Sequence, residues 1–285
     1  GSLHRMRFMR HSMSTESGPA DQEIENRQPP YQYGTSIPTH SPRASRKKKD
    51  DDQCIKNAAR VALMNFQHFL ISSLIRLRDS RLLWDAMGAI YNQRIYKAIS
   101  ELYDEVVRQM PLDEGDSLLD VGTGRGYIAM QLAAKNPGAR ITGIDYSSRQ
   151  IREAQKLQKQ KKVLNCAFTL GNVMNIRFPE EVFDAAVSIG SIKHWHDAVR
   201  GLAEIRRVLK PGALLIVSET DQGASEAEIR RFMNRFKVWF VPDRLLFWGL
   251  RNVIFGQSFT QASLADALKT AGFRRMEGLC VSEVP

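Results

Sequence analysis

A glycine-rich segment at residues 117–126, S-L-L-D-V-G-T-G-R-G, carries the residues best suited to hold a small ligand. Its first five residues are mostly apolar. Gly122, Gly124 and Gly126 then alternate with other residues, and a run of good helix formers begins at Tyr127. This order predicts a strand, a tight turn and a helix. Glycine allows positive φ and close approach of a ligand, and the helix N-terminus offers unpaired N–H groups.

The glycine spacing and a nearby acidic residue distinguish this turn from a dinucleotide site. A dinucleotide turn has the pattern G-x-G-x-x-G, whereas here the pattern is G-x-G-x-G and Tyr127 takes the place of the third glycine. Asp120 lies two residues before the first glycine. A carboxylate so close would repel a pyrophosphate but would suit a ligand that carries an ammonium group. An ordinary glycine-rich turn between a strand and a helix is the alternative.

One short cluster of titratable side chains could act on a bound acceptor. The residues K-H-W-H-D at 193–197 begin four positions after the apolar segment 183–189 ends. Ligands of open α/β sheets bind at the carboxyl ends of the strands, so His194 is the first candidate for a general base. A structural role is the alternative for His194, and also for His196. Asp197 is expected to be the N-cap of the next helix.

The segments around these residues alternate between strand and helix, which predicts an α/β fold with a doubly wound parallel sheet. Strands are expected at 117–121, 140–145, 166–170, 183–189 and 213–219, and the intervening helices begin near residues 127, 148 and 197. A helix at 260–271 and a strand at 274–284 end the pattern.

Composition limits the class of protein and its partners. The chain has 285 residues, with 41 Lys and Arg against 31 Asp and Glu, which gives a formal net charge of +10. This length allows one large domain with appendages. The positive charge favours nucleic acid, anionic membrane surfaces or anionic small molecules as partners. A solvated basic surface with no partner is the alternative.

The cysteines and the lengths of the apolar runs indicate in which cellular compartment the protein is expected. Cys54, Cys166 and Cys280 lie far apart in the sequence, and no Cys/His cluster has the spacing of a zinc site. We expect free thiols in a reducing compartment and no bound metal. No uninterrupted apolar run reaches the ~18 residues of a membrane-spanning helix. The sequence therefore predicts a cytoplasmic protein.

Residues 1–111 divide into two predicted parts. Residues 1–52 are rich in Ser, Pro and Arg and poor in apolar residues, which predicts a disordered tail. Residues 53–111 are predicted to form helices that act as a lid or an interface. The first helix, at 53–78, is apolar on more than one side, so it could pack on the domain, form a homodimer, or make peripheral contact with a membrane.

A long insertion separates the fifth predicted strand from the helix that follows it. Residues 222–258 are helical in pattern, aromatic and basic. A connection of this length is unusual unless it has a function. We expect it to lie on the substrate side, where it could roof a pocket for an apolar or anionic small molecule, contact a membrane, or bind RNA by stacking.

The motif D-x-G-x-G-x-G after a strand resembles motif I of the class I S-adenosylmethionine (SAM)-dependent methyltransferases. The resemblance covers roughly residues 116–283. It also rests on Asp145 at the end of the second strand, on G-N at 171–172, on F-D at 183–184 and on L-K-P-G at 209–212. Within this family the chain looks most like the small-molecule enzymes of ubiquinone and menaquinone biosynthesis.

The resemblance implies a Rossmann-like SAM-binding domain at 112–285 and a set of cofactor contacts. Asp120 and the turn would hold the methionine end, Asp145 would accept hydrogen bonds from the ribose, and Asn172 would lie beside the adenine. Tyr91 and Tyr96 are expected lid residues. The residues expected to contact SAM are Asp120, Gly122, Thr123, Gly124, Gly126, Asp145, Tyr146, Asn172, Val173 and Ser188.

The expected activity is methyl transfer to a small-molecule acceptor by in-line displacement at the sulfonium methyl. Enzymes that methylate exocyclic amines of bases resemble one another in an N/D-P-P-Y/F sequence after the fourth strand, whereas this chain has S-I-G-S at 188–191. No recognisable RNA-binding module is present in the sequence, so nucleic acid is not the expected partner. The alternative is a nucleic-acid or protein methyltransferase, or a binding factor, recruited by the basic surface.

The end of the sheet is expected to differ from the family pattern. The resemblance implies a sixth strand at the edge and a seventh strand that returns antiparallel between the sixth and the fifth. Residues 274–284 can supply the sixth strand, and no residues follow them for a seventh. We therefore expect about six strands, with the sixth either beside the fifth or next to an unfilled slot, and with residues 274–284 the least protected.

Overall fold

The computed structural model describes residues 6–10, 56–57, 60–61, 63–74, 76, 96, 99–235 and 241–279. In chain order its strands are β1 (Met6–Arg10), β2 (Ser117–Val121), β3 (Arg140–Asp145), β4 (Cys166–Leu170), β5 (Phe183–Ile189), β6 (Leu209–Ser218) and β7 (Glu277–Leu279). Its helices are α1 (Ser100–Gln109), α2 (Tyr127–Lys135), α3 (Ser148–Lys161), α4 (Ala198–Val208), α5 (Glu226–Arg235), α6 (Asp243–Gly249) and α7 (Gln261–Thr270).

The strands form one sheet in the order β4-β3-β2-β5-β6-β1-β7. Strands β2 to β6 are parallel, with β2 at the centre between β3 and β5. The first four predicted strands in this group have the observed boundaries, and the fifth begins at Leu209 rather than at 213. The doubly wound α/β class is thus confirmed.

Both faces of the sheet are covered because alternate residues of each strand point to opposite faces. Leu118 of β2 packs in a core with helices α1, α2 and α3. Its neighbour Leu119 packs in a second core with α4 and α7. Strands buried on both faces are apolar nearly throughout, which is why β2 shows no alternation of polar and apolar residues.

The expected count of about six strands is wrong, because β1 fills the slot between β6 and β7. β1 pairs antiparallel with both neighbours, with Phe8 opposite Ile216 and Met6 opposite Leu279. An open sheet edge presents unpaired N–H and C=O groups that attract an extended segment. Residues 6–10, M-R-F-M-R, contain neither Pro nor Gly and can supply one. The composition of residues 1–52 as a whole predicted disorder and gave no sign of this short strand. The other residues of the predicted tail lie outside the described residues.

The N-terminal helices are described in part. All the described residues between 56 and 76 are helical, as predicted. Within this helix Val61, Leu63, Met64, Phe66 and Phe69 are each more than half exposed. Tyr96 and residues 100–109 of the second predicted region are also helical, whereas Tyr91 lies outside the described residues.

The insertion has a small core of its own. Helices α5 and α6 and the turns that follow them bury one shared set of apolar side chains, against which Ile99 also packs. The set comprises Ala224, Ile229, Phe232, Met233, Leu250 and Phe255. The helical character predicted for 222–258 is observed at 226–235 and 243–257, whereas 222–225, 241–242 and 258 are not helical.

The described residues include one of the three cysteines, Cys166. Cys166 is a buried free thiol, and burial, with a further contribution from Asp120, raises its pKa to about 12. It is therefore protonated and unreactive at neutral pH. Cys54 and Cys280 lie outside the described residues. No described helix is long and apolar enough to cross a bilayer.

Close packing of Phe168 beneath the glycine turn leads to a stability prediction. A Cβ added at Gly143 would lie 2.6 Å from both the Phe168 ring and the Thr123 hydroxyl. We expect Gly143→Ala to lower the free energy of unfolding by about 1–3 kcal/mol, because buried, well-packed sites tolerate added volume poorly. Urea denaturation would measure this change.

Gly249 provides the matched control, since it is helical with φ −62° and a Cβ there would meet no atom within 4 Å. Gly249→Ala should leave stability unchanged or raise it by up to about 1 kcal/mol. Equal effects of the two substitutions would show that packing on Phe168 does not constrain position 143.

Candidate active site

The glycine turn lies at the carboxyl end of β2, at the centre of the parallel sheet. Gly122, Gly124 and Gly126 have φ of +74°, +54° and +75°, a region that favours glycine. A Cβ at Gly122 would lie 2.0 Å from the Ser191 hydroxyl oxygen, and one at Gly126 would lie 2.3 Å from the Phe168 ring. At Gly124 a Cβ would meet nothing within 4 Å. The backbone at Gly124 is therefore open to a ligand, while protein atoms crowd the other two glycines.

Asp120 lies beneath this turn and is only 1% exposed. The Thr123 hydroxyl donates a hydrogen bond to Asp120 Oδ2 at 2.5 Å. Burial raises the pKa of Asp120 to about 7; the hydrogen bond from Thr123 opposes this rise, and the negative charge of Asp145 adds to it. A buried carboxyl that titrates near neutrality beside an open turn is a candidate partner for a cationic group.

Asp145 brings a second carboxylate to the same edge of the sheet. Its Oδ2 accepts a hydrogen bond from the Gly124 N–H at 2.9 Å, and its Oδ1 accepts one from the Ser147 N–H at 2.8 Å. Asp145 thus connects the end of β3 to the glycine turn on β2. Tyr146, the next residue, is 58% exposed.

Two predicted site residues follow the adjacent strand β4. Asn172 is exposed, and its Oδ1 accepts a hydrogen bond from the Met174 N–H at 2.9 Å. The Gly171 N–H donates to the Asp145 carbonyl oxygen, so this loop is fixed to the end of β3. Val173 is half-buried and packs against the core on the α4 side. The structure therefore brings Asn172 to the edge that carries Asp145, while Val173 has a core contact.

Ser188 lies on the other face of the sheet from Asp120. Asp120 is paired with Val187, and paired residues of parallel strands share a face, so the next residue, Ser188, points the opposite way. Ser188 is 1% exposed, and its hydroxyl has no hydrogen-bond partner among the described residues. The structure does not bring Ser188 together with the carboxylate beneath the turn.

The K-H-W-H-D cluster forms a tight turn after β5. A short 3₁₀ helix spans Ile192–His194, and the His194 N–H donates to the Ser191 carbonyl oxygen at 3.0 Å. Trp195 Nε1 donates to the Ser191 hydroxyl at 2.9 Å. His194 is half-buried and His196 is exposed. Asp197 is the N-cap of α4, as predicted, and accepts a hydrogen bond from the Arg200 N–H at 2.9 Å.

Tyr96 lies beside the helix that begins at the glycine turn. Its ring stacks on Tyr127 with centroids 4.1 Å apart, and its hydroxyl accepts a hydrogen bond from Gln131 Nε2 at 3.1 Å. Arg125, within the turn, pairs with Glu153 at 3.1 Å. Tyr96 thus lies next to the turn, and its role as a lid residue stays a prediction.

Sequence reasoning missed Glu219, which lies directly after β6. Its side chain is 2% exposed and pairs with Lys193 at 2.7 Å. The available signal was an acidic residue at the end of the apolar run A-L-L-I-V-S at 213–218. Acidic residues are almost never fully buried unless they are paired, so a partner at the neighbouring strand end could have been sought.

The comparisons with known proteins agree with this geometry. The pattern of the methyltransferase domain family matches residues 112–255, about half of the chain. The O-methyltransferase rstn1 of Aspergillus nomiae is 34% identical over 150 residues, which cover 51% of this chain and 66% of that protein. A demethylmenaquinone methyltransferase of Geobacillus sp. is 31% identical over 141 residues, which cover 49% of this chain and 58% of that protein.

A solved structure supports the fold alone. The SAM-dependent methyltransferase of Aquifex aeolicus aligns with a TM-score of 0.50 and 18% identity, over 64% of this chain and 91% of that one. The chain spans less than two thirds of the length of each of the two curated relatives named above.

The raised pKa of Asp120 predicts a pH-dependent effect of Asp120→Asn on the ligand-free protein. Between pH 3.8 and about 7 the unfolded chain has lost this proton while the folded protein still holds it. The wild-type protein therefore loses unfolding free energy as pH rises through this window, because of the Asp120 carboxyl. The Asp120→Asn protein has no such carboxyl and does not lose this amount. The gain in unfolding free energy from Asp120→Asn should grow by up to about 1.4 kcal/mol per pH unit from pH 5 to pH 7.

Asp184→Asn is the control, because the pKa of Asp184 is shifted in the direction opposite to that of Asp120. Burial raises the pKa of Asp184, but hydrogen bonds from Lys210 and from the Ser117 N–H outweigh this effect and lower it overall. The stability that Asp184 contributes is present above pH 3.8 and is lost only below it, so Asp184→Asn should cost a constant amount from pH 5 to pH 7. Parallel pH curves for the two variants would refute the assignment for Asp120.

Proposed function

We propose that this chain, which belongs to the class I S-adenosylmethionine-dependent methyltransferases, transfers the sulfonium methyl group of SAM to a hydroxyl group of a small-molecule acceptor. The buried carboxyl of Asp120 beneath the open backbone of Gly124 is the observation that carries the proposal. A cofactor with an ammonium group and a carboxylate matches this site, since the first suits Asp120 and the second suits the N–H groups at the start of α2.

The proposed cofactor contacts follow the edge of the sheet from β2 to β4. Asp120 and the turn, with Gly122, Thr123, Gly124 and Gly126, hold the methionine end. Asp145 accepts hydrogen bonds from the ribose hydroxyls, because each of its oxygens retains lone pairs beyond the bonds to Gly124 and Ser147. Tyr146 and Asn172 lie on the adenine side. Val173 supports this loop from the core, and Ser188 faces away from the methionine site.

The reaction needs little from the protein beyond alignment. When bound, SAM would supply a methyl group on a sulfonium sulfur; the acceptor oxygen would take this methyl group in line, and the sulfur would keep the electron pair of the broken bond as a neutral thioether. The hydroxyl proton must leave the acceptor. His194, in the turn after β5, is proposed to accept it as general base.

The insertion is proposed as the roof over the acceptor. The ring of Phe247, over which the Arg230 guanidinium lies at 4.3 Å, combines apolar surface with positive charge. Arg235 contacts Glu101 of α1 at 3.4 Å, which connects the roof to the N-terminal side. This surface favours an apolar or anionic acceptor. The name of the rstn1 relative, an O-methyltransferase, supports oxygen as the acceptor atom.

The basic surface and the helix at 53–78 allow further partners. The net charge of +10 would also attract nucleic acid, but S-I-G-S at 188–191 differs from the sequence expected after β5 in base-modifying enzymes. Homodimer formation or peripheral membrane contact through 53–78 stays a prediction, which the exposed Phe66 and Phe69 favour. The cytoplasmic location also stays a prediction.

A methyl-transfer screen tests the proposed activity. Labelled SAM would be supplied with separate pools of phenols and naphthols, hydroquinones, sterols, amines and RNA. We expect label in the phenol or hydroquinone pool, and we expect none after Asp120→Ala. Label in RNA or in amines alone would contradict the proposal.

The role of His194 predicts a difference between two neighbouring histidines. With the acceptor found in the screen, His194→Ala should lower kcat by about 10²–10⁴-fold, because the hydroxyl proton loses its acceptor. His196→Ala, at an exposed position two residues away, is the matched control and should keep full activity. Both variants should bind S-adenosylhomocysteine as the wild type does. Full activity of His194→Ala from pH 6 to pH 9 would remove this residue from the chemistry.

A further inference from the structure

The described residues contain one Lys–Glu pair that is almost fully withdrawn from water at the acceptor end of the sheet. Lys193 and Glu219 have side chains that are 6% and 2% exposed, with Lys193 Nζ 2.7 Å from Glu219 Oε2. The same Nζ donates to the Gly190 carbonyl oxygen at 2.9 Å, and the Lys193 N–H donates to Glu219 Oε1 at 3.4 Å. Lys193 is therefore held to Glu219 by its side chain and by its backbone.

Glu219 also lies at the base of the insertion. We call Glu219–Gln222 and Ser258–Phe259, the two segments where the chain enters and leaves the insertion, the neck. The Ser258 hydroxyl donates to the Thr220 carbonyl oxygen at 2.6 Å and lies 3.5 Å from Glu219 Oε2. The Gln222 N–H donates to the Phe259 carbonyl oxygen at 3.1 Å. One carboxylate thus contacts both the turn that carries His194 and the neck of the roof.

The energetics argue that this pair has a purpose beyond stability. Removing two charges from water is expensive, and apolar residues of similar volume often replace a buried ion pair with no loss of stability. An ion pair nevertheless fixes direction and distance, because its hydrogen bonds are short and oriented. A pair that costs desolvation and spans two substrate-side segments is suited to hold those segments in one arrangement.

We infer that Lys193 and Glu219 are positioning residues that fix the His194 turn relative to the neck of the insertion. The inference rests on the proposed function in so far as the turn carries the general base and the insertion roofs the acceptor. The pair sets the distance between these two parts and leaves the cofactor edge, from β2 to β4, unaffected.

The test replaces the pair with apolar residues and observes the turn directly. The variant is Lys193→Met/Glu219→Leu, and the matched control is Lys210→Met/Asp184→Asn. The control breaks an ion pair of 2.6 Å that joins the same two strands, β5 and β6, at their opposite ends. Each protein is labelled with 5-fluorotryptophan, and the ¹⁹F signal of Trp195 is assigned by its loss in Trp195→Phe.

Trp195 reports on the turn because its Nε1 bonds Ser191 and its ring packs against Gly201. We expect the Trp195 signal to shift or split in Lys193→Met/Glu219→Leu and to stay unchanged in the control. The Tm of Lys193→Met/Glu219→Leu should stay close to the wild-type value. The Kd for S-adenosylhomocysteine should stay within about threefold of the wild-type value, a change of less than 1 kcal/mol. A role confined to stability would change Tm and leave the Trp195 signal of the folded protein in place.

A second variant keeps the inference open to refutation if the apolar pair does not fold. Glu219→Gln preserves the volume and one acceptor but removes the charge, and it should also move the Trp195 signal. An unmoved Trp195 signal in the folded variants would overturn the inference. Failure of the proposed function would look different, since the wild type would then transfer no label, or would label RNA or amines alone, whatever the ¹⁹F spectra show.

Discussion

The burial of one carboxyl group, Asp120, is the constraint around which the cofactor edge is built. An acidic side chain at 1% exposure is costly when it is ionised. Two features reduce this cost: the Thr123 hydroxyl donates a hydrogen bond to Asp120, and Asp120 keeps its own proton up to about pH 7. The turn above it needs glycine at three positions with positive φ, and Phe168 fills the space beneath that turn. A cation that enters at Gly124 would compensate the buried charge, so ligand binding and the charge state of Asp120 are linked.

In the proposed function, the cofactor contacts and the acceptor side lie at different parts of the carboxyl edge of the sheet. Asp120 points to the face covered by α1, α2 and α3, whereas Ser188 points to the face covered by α4 and α7. The turn that carries His194 leaves β5 at the carboxyl edge and is tied by Lys193 to Glu219, at the neck of the insertion. In the proposed function, the roof can therefore vary with the acceptor while residues at the edge from β2 to β4 hold the cofactor.

Local patterns predicted most of the parallel sheet and the glycine turn at its carboxyl edge. Four strand boundaries, the glycine turn, the Asp197 cap and the helical insertion could all be read from adjacent residues, because capping, turn chemistry and burial act over short distances. The strand β1 could not be read in this way. Its pairing with β6 and β7 joins residues more than 200 positions apart, and five residues in a polar segment give no local signal for such a partner.

The site shows the same limit. The face of the sheet on which Ser188 lies depends on strand register, which local sequence patterns do not determine. The Lys193–Glu219 pair joins two strand ends that are adjacent only in the folded sheet. Burial of Glu219 is decided by that pairing. The position of a residue at one strand end was thus predictable, whereas a contact between two strand ends was not.

Proton release on cofactor binding tests the central claim most directly. Calorimetric titration of S-adenosylhomocysteine at pH 6, in two buffers of different ionisation enthalpy, counts the protons exchanged. If ionised Asp120 faces the ligand ammonium group, the wild type should release close to one proton at this pH, because its pKa is about 7 before binding. Asp120→Asn should release nearly one proton fewer. Equal proton release by the two proteins would contradict the account.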